Sequence, residues 1–90
     1  MKEKVLKIIN HYGVLPQLKH FNSEVFELNE AIIKHETIGC ERKHIVEEIS
    51  DVIVMLKQLQ FYYGIDREEL RKVVNYKIDR QLGRIENENK

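Results

Sequence analysis

Two pairs of acidic residues have the spacing that places both carboxylates of a pair on one side of a helix. The first pair is Glu24 and Glu27, and the second pair is Glu48 and Asp51. Each pair flanks an apolar stripe, and charged groups beside apolar packing need compensation. A hard divalent cation such as Mg²⁺, which prefers oxygen ligands, would compensate these carboxylates. The pattern therefore predicts a metal site carried on helices, with Mg²⁺ as the expected ion and Mn²⁺ as the alternative.

The elements that must position these carboxylates are helices. Glycine and proline interrupt the chain at only a few places, and the apolar residues between the breaks recur at intervals of three and four. Alternating apolar runs typical of strands do not occur in the sequence. The predicted helices cover residues 2–11, 16–35, 42–63 and 66–82, followed by a polar tail at 86–90. The sequence therefore indicates one all-α domain over residues 1–85, in which the second and third helices form the central pair.

The two acidic pairs are expected to converge on one edge of the central helix pair. The first pair is displaced by about 110° from the apolar stripe of its helix, and the second by about 90° in the same rotational sense. The short connection near Gly39 favours antiparallel neighbours, which bring displacements of the same sense to one side. Matching their heights requires a stagger of about one turn. Ala31 and Met55, each four positions after a carboxylate, indicate that this edge is only partly solvated.

Composition restricts the classes of partner. The 90 residues include 15 Lys and Arg and 15 Asp and Glu, so the formal net charge is zero. A basic surface typical of proteins that bind nucleic-acid polymers or anionic membranes is therefore not expected. The longest apolar runs are far shorter than the roughly 20 residues of a membrane span. Cys40 is the only cysteine, which excludes an intrachain disulfide and fits a cytoplasmic location. A small-molecule partner is favoured.

Additional apolar residues indicate self-association. Phe26 and Ile33 on the second helix, and Val46 and Ile53 on the third, lie on the flanks opposite the acidic pairs. Each central helix therefore has two sides to bury, and a chain this short has little other surface to cover them. We expect at least a homodimer.

The order of the acidic residues matches a known motif. Ser23-Glu24-Val25-Phe26-Glu27 is followed, after twenty residues, by Glu48-Ile49-Ser50-Asp51. This string resembles the MazG family of all-α nucleoside triphosphate pyrophosphohydrolases, whose motif is Glu-Glu-x-x-Glu, a spacer and Glu-x-x-Asp. The resemblance extends over residues 17–80, and on the fourth helix it includes an Asn-x-Lys-x-x-Arg element like that of the family. Ser23 is a departure, because the family has glutamate there.

The resemblance implies a four-helix bundle that is completed by assembly into a homodimer or homotetramer. It implies a Mg²⁺-dependent enzyme that hydrolyses a (deoxy)nucleoside triphosphate to the monophosphate and pyrophosphate. All four carboxylates of the two acidic pairs would be metal ligands. Lys77 and Arg80 would hold phosphate oxygens, and Asn75 and Gln17 are further candidates for contacts with the nucleotide.

Two residues near the carboxylates have candidate roles of their own. His20 lies one turn before Glu24 on nearly the same side of the second helix, where it could contact a base or a sugar. Glu27 is the candidate catalytic residue, because a carboxylate that is not fully engaged by metal could orient the attacking water.

One alternative interpretation remains open at this point, and a second is disfavoured. Ser23, a poor substitute for a carboxylate ligand, favours a catalytically weak or inactive helical module that serves dimerisation or regulation. Glu41-x-x-His44 has the spacing found in carboxylate-bridged di-iron bundles, but such sites need one pair on each of two helices. The chain has one such pair, so a di-iron site is disfavoured.

Overall fold

Four α-helices joined by short turns make up the computed structural model, which describes residues 1–39 and 41–89. Those residues contain no strand, so the all-α prediction is confirmed. None of the described helices has an apolar stretch sufficient to cross a membrane. The helices, in chain order, are α1 (Lys2–Tyr12), α2 (Val14–Ile38), α3 (Arg42–Tyr62) and α4 (Arg67–Glu88).

Three of the helices extend beyond their predicted ends, α1 by a single residue to Tyr12. α2 starts two residues before the predicted position 16 and continues past residue 35 to Ile38. α4 continues past residue 82, so most of the predicted polar tail is helical as far as Glu88, while Lys90 lies outside the described residues. The segment after Leu82 contains no proline, and propagating an existing helix costs little. Gly83 is therefore accommodated inside α4 although glycine is a weak helix former.

Glycine ends α2 and α3 as the sequence predicts. Gly39 has φ 77° at the C-terminus of α2, and its N–H donates to the carbonyls of Lys34 and His35. The left-handed region favours glycine because it has no Cβ. The rest of this predicted turn includes Cys40, which lies outside the described residues. Asp66 occupies the predicted N-cap position of α4, but its side chain makes no capping hydrogen bond.

Helices α1, α2 and α3 pack against one another, and we call them the packed unit. Gln17 near the start of α2 bonds to Gln58 near the end of α3, whereas Glu27, further along α2, lies beside Glu48 near the start of α3. The two central helices are therefore antiparallel. With a symmetric turn, Glu30 would lie opposite Glu48. Glu27 lies beside Glu48 instead, so the two helices have the expected stagger of about one turn.

The central helices do not meet along the predicted stripes. On α2 the buried residues are spaced by seven, at Gln17, Glu24 and Ala31. Of the predicted stripe residues, Leu18 and Ile32 are each more than a third exposed. The contact is therefore rotated towards the acidic flank, so Glu24 lies in the helix interface rather than at its edge.

The same rotation is visible on α3. Met55 is buried, as expected for a residue beside a partly solvated acidic edge, and Glu48 is half-buried. Ile49 and Leu56 from the predicted stripe are 42% and 50% exposed. The physical reason is that each central helix has apolar residues on two sides, so periodicity alone does not select the side that packs within the chain. The core of the packed unit is completed by Val5 and Ile9 of α1, together with Ala31 and Met55.

Helix α4 stands apart from the packed unit. Among the described residues, no Cα atom of α4 lies within 8 Å of a Cα atom in another helix, and α4 contains no buried residue. The radius of gyration is 16.3 Å, compared with about 12 Å for a compact domain of this length. Within one chain, the predicted four-helix bundle is therefore a three-helix unit with a separate fourth helix. A bundle completed by other copies remains a prediction.

Candidate metal centre

Three of the four predicted carboxylates come together between α2 and α3. Glu24, Glu27 and Glu48 each offer an oxygen, and these oxygens lie within 4.8 Å of one another. We call these three side chains the acidic cluster. Two neighbouring helices position them: α2 supplies a pair separated by one turn, and the antiparallel register brings α3 alongside. Carboxylate oxygens at such separations repel one another unless protons or a cation compensate them.

Two oxygens of the acidic cluster lack any hydrogen-bond partner. Glu24 is only 9% exposed, and its Oε2 atom is buried without a partner. Glu48 Oε2 on the neighbouring helix is in the same situation. Most buried polar atoms in proteins are paired, so each such atom calls for an explanation. A cation with oxygen ligands would satisfy both oxygens, and the donor set is the type that Mg²⁺ and Mn²⁺ accept.

The environment of Glu24 favours its protonated form. Burial raises the pKa of Glu24 above its ordinary value, and the nearby charges of Asp51, Glu27 and Glu48 raise it further. His20 acts in the opposite direction, with its Nε2 atom 3.0 Å from Glu24 Oε1. A metal ion that binds here competes with protons for Glu24, so its affinity should fall as the pH is lowered.

Asp51 lies beside the acidic cluster rather than inside it. Its oxygens are not among the three groups that share the 4.8 Å separation. It nevertheless acts on Glu24 more strongly than any other neighbouring charge, and both residues line the same groove. Its role as a metal ligand remains a prediction.

A groove of about 510 Å³ runs from the acidic cluster between α1, α2 and α3. Glu24, Asp51 and His20 line one part of it, and Gln17 and Gln58 line another. Apolar residues of all three helices form the remaining walls. Its volume lies in the range typical of small-molecule sites. Glu24, Asp51 and His20 are therefore accessible to a small ligand from one shared groove.

Gln17, a predicted contact of the nucleotide, is buried at 6% exposure, and its Nε2 atom donates to Gln58 Oε1 at 2.8 Å. Sequence reasoning missed Gln58, which is 2% exposed. A signal for it exists in the sequence, because Gln58 follows Asp51 by seven residues, and two helical turns return to the same face.

The remaining predicted site residues lie away from the acidic cluster. Asn75, Lys77 and Arg80 are exposed on α4, and the Arg80 guanidinium lies 5.9 Å from the centre of the Tyr76 ring. Because no described Cα atom of α4 lies within 8 Å of a Cα atom in another helix, a single chain does not bring these groups to the carboxylates. Ser23 is also exposed, and its hydroxyl donates to the backbone carbonyl of Lys19 in its own helix.

Comparison with known proteins adds no assignment, since no protein-family model, curated protein or solved structure matches the chain. The chemistry of the site therefore follows from its own geometry.

Proposed function

We propose that the chain is a Mg²⁺-dependent nucleoside triphosphate pyrophosphohydrolase, which converts a (deoxy)nucleoside triphosphate to the monophosphate and pyrophosphate. The observation that carries this proposal is the acidic cluster with two buried oxygens that lack partners. The resemblance of the acidic pattern to the MazG motif supports a triphosphate as the substrate. The groove beside the acidic cluster is large enough for a nucleoside.

Within this proposal, the carboxylates have different tasks. Glu24 and Glu48 would hold the ion through their unpartnered oxygens. Asp51 lines the adjoining groove beside Glu24, where it adds a further carboxylate. The bound ion supplies charge neutralisation for the phosphates and lowers the pKa of water. Glu27 is the exposed member of the acidic cluster, so it can reach a solvent water and accept its proton during attack on the phosphate. His20 lines the same groove, where it would contact the sugar or the base.

The proposed active form is a homodimer or a homotetramer in the cytoplasm. Apolar residues on α4 and on the outer sides of α2 and α3 are exposed, including Val74, Phe26 and Ile53. A second copy that covers them would remove this surface from water. Lys77 and Arg80 from the α4 helix of another copy would then neutralise phosphate charge. In this arrangement Lys77 and Arg80 lie close to the acidic cluster, which they do not approach within a single chain.

A panel of nucleoside triphosphates, incubated with the purified protein and Mg²⁺ or Mn²⁺, tests the proposal when the release of pyrophosphate is measured. We expect pyrophosphate and the monophosphate in equal amounts, and no orthophosphate as a primary product. Calorimetric titration of the protein with each metal alone provides an independent readout. If no triphosphate is hydrolysed and neither metal binds, the enzyme proposal is rejected.

The alternative proposal is a catalytically weak or inactive module for dimerisation or regulation. Ser23 supports it, because its exposed hydroxyl bonds within its own helix and does not add an oxygen to the acidic cluster. The two proposals differ in one measurement. The module forms a stable oligomer but does not release pyrophosphate. The enzyme forms the oligomer and also releases pyrophosphate when the metal is present.

A further inference from the structure

Two buried glutamines face each other in the part of the groove that lies away from the acidic cluster. Gln17 on α2 and Gln58 on α3 share one strong hydrogen bond, from Nε2 of Gln17 to Oε1 of Gln58 at 2.8 Å. Both side chains line the groove although each is almost completely buried. Each carboxamide can donate two hydrogen bonds, so one mutual bond leaves most of this capacity to other acceptors.

The other acceptor of both amides is the thioether of Met55. Its Sδ atom lies 3.5 Å from Gln58 Nε2 and 3.8 Å from Gln17 Nε2. Thioether sulfur is a weak acceptor, whereas buried donors in proteins are normally well paired. Two amide donors from different helices therefore converge on one position that is occupied by a poor acceptor. Because methionine is flexible, a ligand atom can replace the sulfur there.

The distance from the amides to the carboxylates fits a nucleoside. Gln17 precedes Glu24 by seven residues, and Gln58 follows Asp51 by seven, so both amides lie about 10 Å along the helix axes from the carboxylates. This separation is comparable to the length of a nucleotide from its α-phosphate to the edge of its base. Val54, which lies between Asp51 and Gln58 along α3, also lines the groove. The groove therefore has an acidic end, an apolar middle and an amide end.

We propose that Gln17 and Gln58 together read the base, by donating two hydrogen bonds to one ring carbonyl oxygen. This inference rests on the proposed function. A carbonyl oxygen has two lone pairs and accepts both donors, whereas a ring nitrogen of adenine has one lone pair and accepts a single donor. The substrate class is therefore nucleotides whose base carries a ring carbonyl, namely uracil, thymine, cytosine, guanine and hypoxanthine. Adenine nucleotides leave one buried donor without a good acceptor, and binding sites select strongly against such a mismatch.

Inosine and adenosine triphosphates form the matched pair for testing this inference, because their bases differ chiefly in a carbonyl or an amino group at one ring position. We expect kcat/KM to be about tenfold or more higher for the inosine nucleotide. Gln58→Leu and Gln17→Leu should each remove this preference. Met55→Leu, which removes the sulfur but keeps both amides, should retain it. Equal kcat/KM values for the two substrates in the wild-type protein overturn the inference, as does a preference that survives both glutamine substitutions.

A binding measurement on the wild-type protein separates failure of this inference from failure of the proposed function. Inosine or adenosine is added to ¹⁵N-labelled protein, and the side-chain amide signals of Gln17 and Gln58 are followed. Larger shifts and tighter binding with inosine support the amide assignment even if no triphosphate is hydrolysed. If neither nucleoside moves these signals, or adenosine binds as tightly, the assignment is wrong, whether or not pyrophosphate is released. This measurement also decides the matter if the leucine variants do not fold.

Discussion

The packed unit and helix α4 are both amphipathic, yet only the packed unit buries side chains within the chain. α1 buries Val5 and Ile9, whereas the apolar residues of α4 are all exposed. In both regions the apolar residues recur at helical intervals, so the pattern by itself does not distinguish them. Helical periodicity therefore identifies the apolar face of a helix, but it does not identify the surface that covers that face. The carboxylates lie in the first region and the cations Lys77 and Arg80 in the second.

The largest expected effect is on the acidic cluster of the packed unit. Glu48→Gln should reduce the release of pyrophosphate by about 100-fold or more and weaken Mg²⁺ binding, because it replaces an unpartnered charged oxygen with a neutral amide. Helical circular dichroism should remain unchanged. Glu47→Gln is the matched control, since Glu47 is the exposed neighbour on the same helix. Loss of the helical signal in Glu48→Gln would instead assign this carboxylate a structural role.

The next effect concerns the surface of α4. Val74→Asp places a charge in the middle of the exposed apolar stripe, so it should weaken assembly of the proposed oligomer by about 100-fold in dissociation constant. Sedimentation velocity over a range of protein concentrations measures this change. Lys72→Asp provides the control, because Lys72 lies on the opposite side of α4. If wild type and both variants are equally monomeric, α4 does not mediate assembly.

A smaller effect is expected on the stability of the metal-free protein. The raised pKa of Glu24 means that the folded state binds a proton more tightly than the unfolded state. The contribution of Glu24 to stability is therefore greatest below the ordinary pKa of glutamate and decreases as the pH rises through the higher pKa of the folded state. Glu24→Gln should remove this dependence.

The same substitution should stabilise the metal-free fold near neutral pH by about 1 kcal/mol, or roughly 4–8 °C in melting temperature, because a buried charge beside other carboxylates is lost. Thermal melts at several pH values, with and without Mg²⁺, measure both effects. Glu30→Gln, at an exposed position on the same helix, is the control. A stability difference between wild type and Glu24→Gln that does not change with pH in the absence of metal would contradict the assignment.

The smallest expected effects come from replacing one glycine by alanine in each of the two regions. An added Cβ at Gly83 inside α4 would meet nothing within 4 Å, so Gly83→Ala should stabilise the helix by about 0.5–1 kcal/mol. Gly39 has positive φ at the end of α2, so Gly39→Ala should destabilise the packed unit by about 1 kcal/mol. Circular dichroism melts provide both values. A destabilised Gly83→Ala variant would mean that another surface packs closely against α4.

The sequence predicts the helices and the turns between them, but it does not predict every contact between helices. Helix type, the positions of Gly39 and Gly64 after α2 and α3, and the antiparallel central pair follow from local propensity and a short connection. Gln58 was not predicted, because a glutamine on a helix is ordinarily a surface residue. Its importance depends on Gln17, which reaches it from another helix. The seven-residue spacing places Gln58 on the same face of α3 as Asp51, but it does not show which residue of another helix lies opposite.

The sequence by itself determined four helices, the one-turn spacing within each acidic pair, and the amphipathic character of α4. Only the tertiary structure decided that Glu24 and Glu48 face each other inside the contact of α2 and α3, and that the cations of α4 remain distant from them within one chain. The physical reason is that helical periodicity fixes directions around a single axis, whereas packing chooses how far neighbouring helices rotate towards each other.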